Sequence, residues 1–119
     1  MGLDQFASVR PKYTERVANV EIAYWRKHNR LQGWMENLYI EKGGVKEFNV
    51  EEVQLTPQDL DKLEKAVKDK DLPETEGFFF GTDSYEEDYE EYLRDDLAFI
   101  EKAREAINDG DEVYYSSWW

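Results

Sequence analysis

The sequence predicts an α+β fold: a small, mainly antiparallel sheet of about three strands packed against about three helices. Three observations predict it. Apolar residues recur at helical spacing along three stretches of the chain. Two shorter stretches, around 45–55 and 77–81, are apolar or alternate as strands do. The last seven residues, Val113-Tyr114-Tyr115-Ser116-Ser117-Trp118-Trp119, have the β-branched and aromatic composition of a strand. A length of 119 residues is that of one domain. No internal repeat is present, and no glycine fingerprint follows a strand, so a doubly wound nucleotide-binding sheet is excluded.

Residues 1–17 mix Gly2, Pro11 and polar residues with Leu3, Phe6, Val9 and Tyr13 and keep neither period. They are expected to form an irregular arm, leaving 18–119 as a single α+β domain. From Asn19 to about Lys42, Tyr24, His28, Leu31, Met35 and Leu38 follow at spacings of four, three, four and three, one stripe of a long amphipathic helix. Gly43-Gly44 supplies its stop. In 45–55 the pairs Phe48/Val50 and Val53/Leu55 are out of phase by one residue, which predicts a strand with a bulge near Glu51-Glu52.

Thr56-Pro57-Gln58-Asp59 opens a second helix, with threonine as N-cap and proline in the first turn. Leu60, Leu63 and Val67 form its inner face, and Asp71-Leu72-Pro73 ends it. Gly77-Phe78-Phe79-Phe80-Gly81 reads as a short buried strand. Thr82-Asp83-Ser84 then offers caps for a third helix reaching Asn108, with Tyr85, Tyr89, Leu93, Leu97, Ile100 and Ile107 inward. After the Asp109-Gly110 turn, the final strand is expected beside 78–80. Its alternation sends Val113, Tyr115 and Ser117 to one face and Tyr114, Ser116 and Trp118 to the other.

Charge narrows the function. Twenty-eight acidic residues against fifteen basic ones give a formal charge of −13, which repels phosphate backbones and anionic bilayers. Direct nucleic-acid and membrane partners are therefore not expected. No run approaches the roughly 20 apolar residues of a membrane span, and no secretory leader is evident. With no cysteine, disulfides and thiolate metal sites are excluded, which fits a cytosolic setting.

Enzyme chemistry finds few of its parts. The single histidine, His28, falls on an apolar stripe, and Ser116 and Ser117 lack an elbow motif. No catalytic residue, metal or cofactor is assigned. Two constellations remain. Residues 85–96 carry seven carboxylates against one arginine. A solvated helix face explains them, and so does an acidic docking surface built from Tyr85, Glu86, Glu87, Tyr89, Glu90 and Glu91. Calcium is disfavoured because the segment lacks the spaced ligands and central glycine of a calcium loop. The other constellation is basic and aromatic: Trp25, Arg26, Lys27, Asn29, Arg30 and Trp34. On a helix Arg26 and Arg30 share one face, and Lys27 and Trp34 share another. These groups either pair with surplus carboxylates, the tryptophans entering the core, or converge on an anionic ring such as a nucleotide.

The run Glu21-Ile22-Ala23-Tyr24-Trp25-Arg26-Lys27 with Asn29 and Trp34, then Gly77-Phe78-Phe79-Phe80-Gly81, then Tyr114-Tyr115-Ser116-Ser117-Trp118, resembles a family of small proteins encoded by tailed bacteriophages and prophages. The likeness runs in order from about 19 to 118 and departs from the family pattern at His28 and Gln32. Some members carry the name phosphoglycerate kinase, a label this chain contradicts by its length and by lacking a phosphate-binding glycine loop. The resemblance implies a phage accessory protein working in the host cytoplasm. The matched residues a shared site would use are Trp25, Arg26, Lys27, Asn29 and Trp34, with Tyr115 and Trp118 from the last strand.

Two functions follow as expectations. One is a non-enzymatic inhibitor that docks its acidic surface on a basic host protein, such as one serving antiphage defence. The other is a binder that sequesters a host nucleotide signal through the basic aromatic cluster. A second copy of the chain is a further candidate partner, since an edge strand rich in tyrosine and tryptophan can pair with itself.

Overall fold

The structure is a computed structural model and describes residues 3–10, 20–26, 28–73 and 89–118. The elements are β1 (Asp4–Arg10), β2 (Val20–Arg26), α1 (Asn29–Glu41), β3 (Glu52–Leu55), α2 (Pro57–Lys68), α3 (Tyr89–Asn108) and β4 (Glu112–Trp118). The fold is α+β, with one antiparallel sheet of four strands in the order β2-β1-β4-β3.

The inward rows of the strands, Ala7 and Val9, Trp25, Val53 and Leu55, and Val113 and Tyr115, share one core with the helices. Leu31, Met35 and Leu38 come from α1, Leu60, Leu63 and Val67 from α2, and Phe99, Ile100 and Ala103 from α3. The opposite row of the sheet is half-buried or exposed, and ends on Trp118, 66% exposed.

Residues 4–10 are a central strand, not an irregular arm. Gln5, Ala7 and Val9 point inward while Asp4, Phe6, Ser8 and Arg10 alternate outward. The inner row thus holds a polar residue and a small one and the outer row an aromatic, so hydropathy does not display the period-two alternation.

The long helix expected over 19–42 is two elements. Tyr24 belongs to β2, whose β-branched and aromatic content suits a strand. The stripe is real from His28 onward: His28, Leu31, Met35 and Leu38 are buried along α1. Beyond Lys42, Gly43 takes φ +95°, as the residue after a helix often does. A side chain on Gly44 would collide with the ring of Tyr39, which is stacked on Phe48 with centroids 4.8 Å apart.

In 45–55 only Glu52–Leu55 is strand. The phase slip comes from Val50, at φ +69°, whose N–H donates to the Ser117 carbonyl at 2.7 Å. One left-handed residue, rather than a strand bulge, turns Phe48 inward ahead of Val53 and Leu55.

Helix α2 starts as its sequence dictates. The Asp59 N–H donates to Thr56 Oγ1 at 3.2 Å, and the Thr56 N–H donates to Asp59 Oδ2 at 2.9 Å, a reciprocal capping box. Lys42 reaches the same carboxylate from the end of α1. Burial alone would raise the Asp59 pKa, but the hydrogen bonds from Lys42 and Thr56 outweigh it and hold the carboxyl below its ordinary range. A carboxylate lowered on folding stabilises the native state fully above its unfolded pKa of about 4, and this is lost as pH falls through the folded value. Asp59→Asn, which still accepts at the cap but does not ionise, should flatten the acid limb of stability against pH below about 4. Urea melts at several pH values read this directly, and an unchanged acid slope would refute it.

Helix α3 runs to Asn108 as expected, and Gly110 turns the chain at φ +92°. The strand expected at 77–81 and the caps at 82–84 lie outside the described residues. Strand β4 alternates as predicted, with Val113, Tyr115 and Ser117 buried. Among the described residues its neighbours are β1 along its whole length and β3 along Val113–Ser116, and the expected partner 78–80 lies outside them.

Candidate functional site

Three elements meet at a buried carboxylate. Asp96, on the inner row of α3, is 1% exposed. Its Oδ1 accepts from Trp25 Nε1 of β2 at 3.0 Å, and its Oδ2 accepts from His28 Nε2, ahead of α1, at 2.9 Å. The His28 ring stacks on Tyr92, centroids 4.3 Å apart, and Phe99 meets Trp25 edge-on at 5.0 Å.

Gln5, in the centre of the sheet, continues the network. Its Oε1 accepts from the His28 N–H at 2.8 Å, while its Nε2 donates to the His28 carbonyl at 3.0 Å and to the Tyr115 hydroxyl at 2.9 Å. Tyr115 in turn donates to Gln32 Oε1 at 2.7 Å. Burial pushes the Tyr115 hydroxyl far above the ordinary phenol range, with the Asp96 charge adding to it and the Gln5 hydrogen bond opposing it. The phenol therefore stays protonated and acts as a relay of hydrogen bonds.

This network has the ingredients of proton chemistry but is walled off, since Gln5, His28, Gln32, Asp96 and Tyr115 are each at most 1% exposed. It joins β1, β2, β4, α1 and α3. Among the described residues, Gln32 Nε2 and Ser117 Oγ are buried without a hydrogen-bond partner. No group of three or more imidazole or carboxylate side chains converges as metal ligands would, again among the described residues.

Outside the network, between β2 and the first turns of α3, lies a cleft of about 290 Å³ lined by Tyr24, Trp25, Arg26, Glu91, Tyr92 and Asp95. Trp25 both lines it and donates to Asp96. The Tyr24 hydroxyl donates to Asp4 Oδ1 at 2.6 Å, and that hydrogen bond, with Asp4 nearby, raises its pKa. Glu91 and Asp95 stand one turn apart on α3. Asp95 has an exposed contact with Arg94 at 3.6 Å, while Arg26 has no ion pair among the described residues. Among the described lining residues, two carboxylates stand against one guanidinium.

Of the described residues singled out as basic and aromatic, the fold brings Trp25 and Arg26 to this cleft. Arg26 and Arg30 do not share a helix face, because Arg26 ends β2 and Arg30 is in the first turn of α1. Lys27 lies outside the described residues. Trp25, Asn29 and Tyr115 are buried, Trp34 packs half-buried on the core, and Trp118 is exposed on the opposite face of the sheet. Of the acidic set, Tyr85, Glu86 and Glu87 lie outside the described residues. Tyr89 is half-buried, its hydroxyl donating to the Val67 carbonyl at 3.3 Å, and Glu90 and Glu91 are exposed. The fold thus joins one arginine of the first set to one carboxylate of the second.

Sequence reasoning passed over Asp96, Gln5 and Gln32, and over Tyr24, Tyr92 and Asp95 as cleft residues. For Asp96 a signal existed: it lies three, four and seven positions before Phe99, Ile100 and Ala103, on the buried row of α3. No family model, curated protein or solved structure matches the chain.

Proposed function

We propose that the chain is a non-enzymatic accessory protein, of the phage type its motifs resemble, that binds and inhibits a host protein through the acidic first half of α3. The observation that carries this reading is the charge of the cleft and its rim: Glu90, Glu91 and Asp95 are exposed, the last two lining the cleft with Arg26, on a chain of formal charge −13. Such a surface steers a basic partner into contact and discriminates against anions. The same carboxylates disfavour a nucleotide, whose phosphates would meet Glu91 and Asp95 on entering. Arg26 is what the nucleotide reading retains, and calorimetry against cyclic and linear nucleotides should give no heat of binding. The setting proposed is the host cytoplasm, and no helix among the described residues is long and apolar enough to cross a membrane.

The test uses the full chain as bait in a bacterial lysate, followed by kinetics with the purified captured protein. Glu90→Gln, Glu91→Gln and Asp95→Asn combined should slow association about tenfold at low salt and flatten its salt dependence. Association and inhibition unchanged by the three substitutions would sink the proposal.

A further inference from the structure

We propose that the occupant of the cleft is an extended, basic segment of the partner protein, added as a fifth strand along the outer edge of β2. The inference rests on the acidic docking reading above and adds to it a backbone geometry.

The sheet order places β2 at an edge, and among the described residues it pairs with β1 alone. Natural edges are blunted by bulges, proline or lysine. Here the register shifts between Ala7 and Ser8, which disturbs the first half of β2. The second half, Ala23–Arg26, pairs in unbroken register with Asp4–Ala7 and contains neither proline nor lysine. Among the described residues its outer edge is unpaired, and along it the backbone donors and acceptors form a regular row. Three of its four residues, Tyr24, Trp25 and Arg26, are also one wall of the cleft. The opposite wall is Glu91, Tyr92 and Asp95 of α3.

A strand added at the usual spacing of about 4.8 Å would occupy the space between these walls. Its side chains would alternate between the two faces of the sheet. Those on the helix side meet Glu91, Asp95 and the Tyr92 ring, which favour lysine or arginine. Those on the open side meet Tyr24, which is 51% exposed and lies 5.3 Å from Phe6 by ring centroids, and which favours an apolar residue. The segment thus alternates basic and apolar residues. A second copy of β2 fits poorly, because it would bring another chain of charge −13 and another acidic α3 to the same edge.

The test uses an eight-residue peptide alternating lysine and valine as the probe, with two N-methylated forms, one methylated at every lysine and one at every valine. In an added strand the N–H groups of alternate residues face the sheet, so one methylated form should lose about tenfold or more in affinity and the other should bind like the parent. Hydrogen exchange should show the parent peptide protecting amides within Ala23–Arg26. Three results overturn strand addition. One is equal binding by both methylated forms with protection confined to α3, which leaves the acidic docking surface standing. Another is no protection of Ala23–Arg26 at saturating peptide. The third is protection of those amides by self-association without peptide, which assigns the edge to a second copy. Conversely, if the Glu90→Gln, Glu91→Gln, Asp95→Asn chain bound the parent peptide unchanged while the methyl asymmetry persisted, the charge reading would fall and the strand geometry would remain.

Discussion

Removing residues 113–119 should abolish the cooperative unfolding transition, leaving a chain with no calorimetric melting peak. The expectation follows from where β4 sits. It is an interior strand, bonded to β1 over seven residue pairs and to β3 over four. Without it, β3 has no neighbour among the described residues, and β1 keeps only β2. Val113 and Tyr115 are both fully buried. Burial of each such side chain contributes about 1.5–3 kcal/mol, so the two together approach the lower end of the ~5–15 kcal/mol that holds a domain folded. The deletion also removes the hydroxyl that bridges Gln5 and Gln32, stranding polar groups in the core. Tyr115→Phe removes the hydroxyl alone and should cost about 1–3 kcal/mol while keeping a cooperative melt. A truncated chain that still melted cooperatively would mean the sheet closes without its fourth strand. The uncharged aromatic end of an acidic chain is thus the middle of its sheet, with charge kept off because alternate residues are core.

The elements most legible in the sequence were those in which local chemistry and burial agree. Helix α2 announces its cap at Thr56, its first-turn proline and its inner face at Leu60, Leu63 and Val67, and the structure has all of these. Strand β4 alternates as composition and period require. Strands β1 and β2 were hidden for a common reason. Their inward positions include Gln5, Ala7 and Ala23 and their outward ones Phe6 and Tyr24, so a reading that equates apolar with inward finds no period in the first and extends the following helix over the second. The candidate site shows the same logic. Arg26 and Glu91 stand out as members of charged runs, and the fold places them across one cleft. Which members of each run meet depends on a strand-to-helix change between Arg26 and Asn29 that periodicity alone did not resolve. Asp96 was counted among seven surface carboxylates because acids are rarely buried unless paired, and its partners, Trp25 and His28, are 71 and 68 residues away in sequence.

That long-range pairing makes Asp96 the single side chain whose loss should cost most. Asp96→Ala leaves Trp25 Nε1 and His28 Nε2 as buried donors with nothing to accept from them, and opens a void beside Phe99 and Tyr92. Each buried donor left unsatisfied costs about 1–3 kcal/mol, so a urea melt should show a combined loss of about 2–6 kcal/mol. Asp96→Asn separates shape from charge. Its amide oxygen can still accept from one donor, but its NH₂ must face the other, so its loss should fall below that of alanine while remaining well above the roughly 0.5 kcal/mol of a surface substitution. The consequence reaches the cleft, because Trp25, Tyr92 and Asp95 line it and each touches Asp96, its partner or its neighbour in sequence. If the network fixes the separation of β2 from α3, Asp96→Asn should weaken binding of the lysine–valine peptide even where the chain remains fully folded, whereas Asp59→Asn, on α2, should leave that binding unchanged. Equal peptide affinity in both variants would confine Asp96 to stability, and a loss under 1 kcal/mol for Asp96→Ala would contradict the buried network itself.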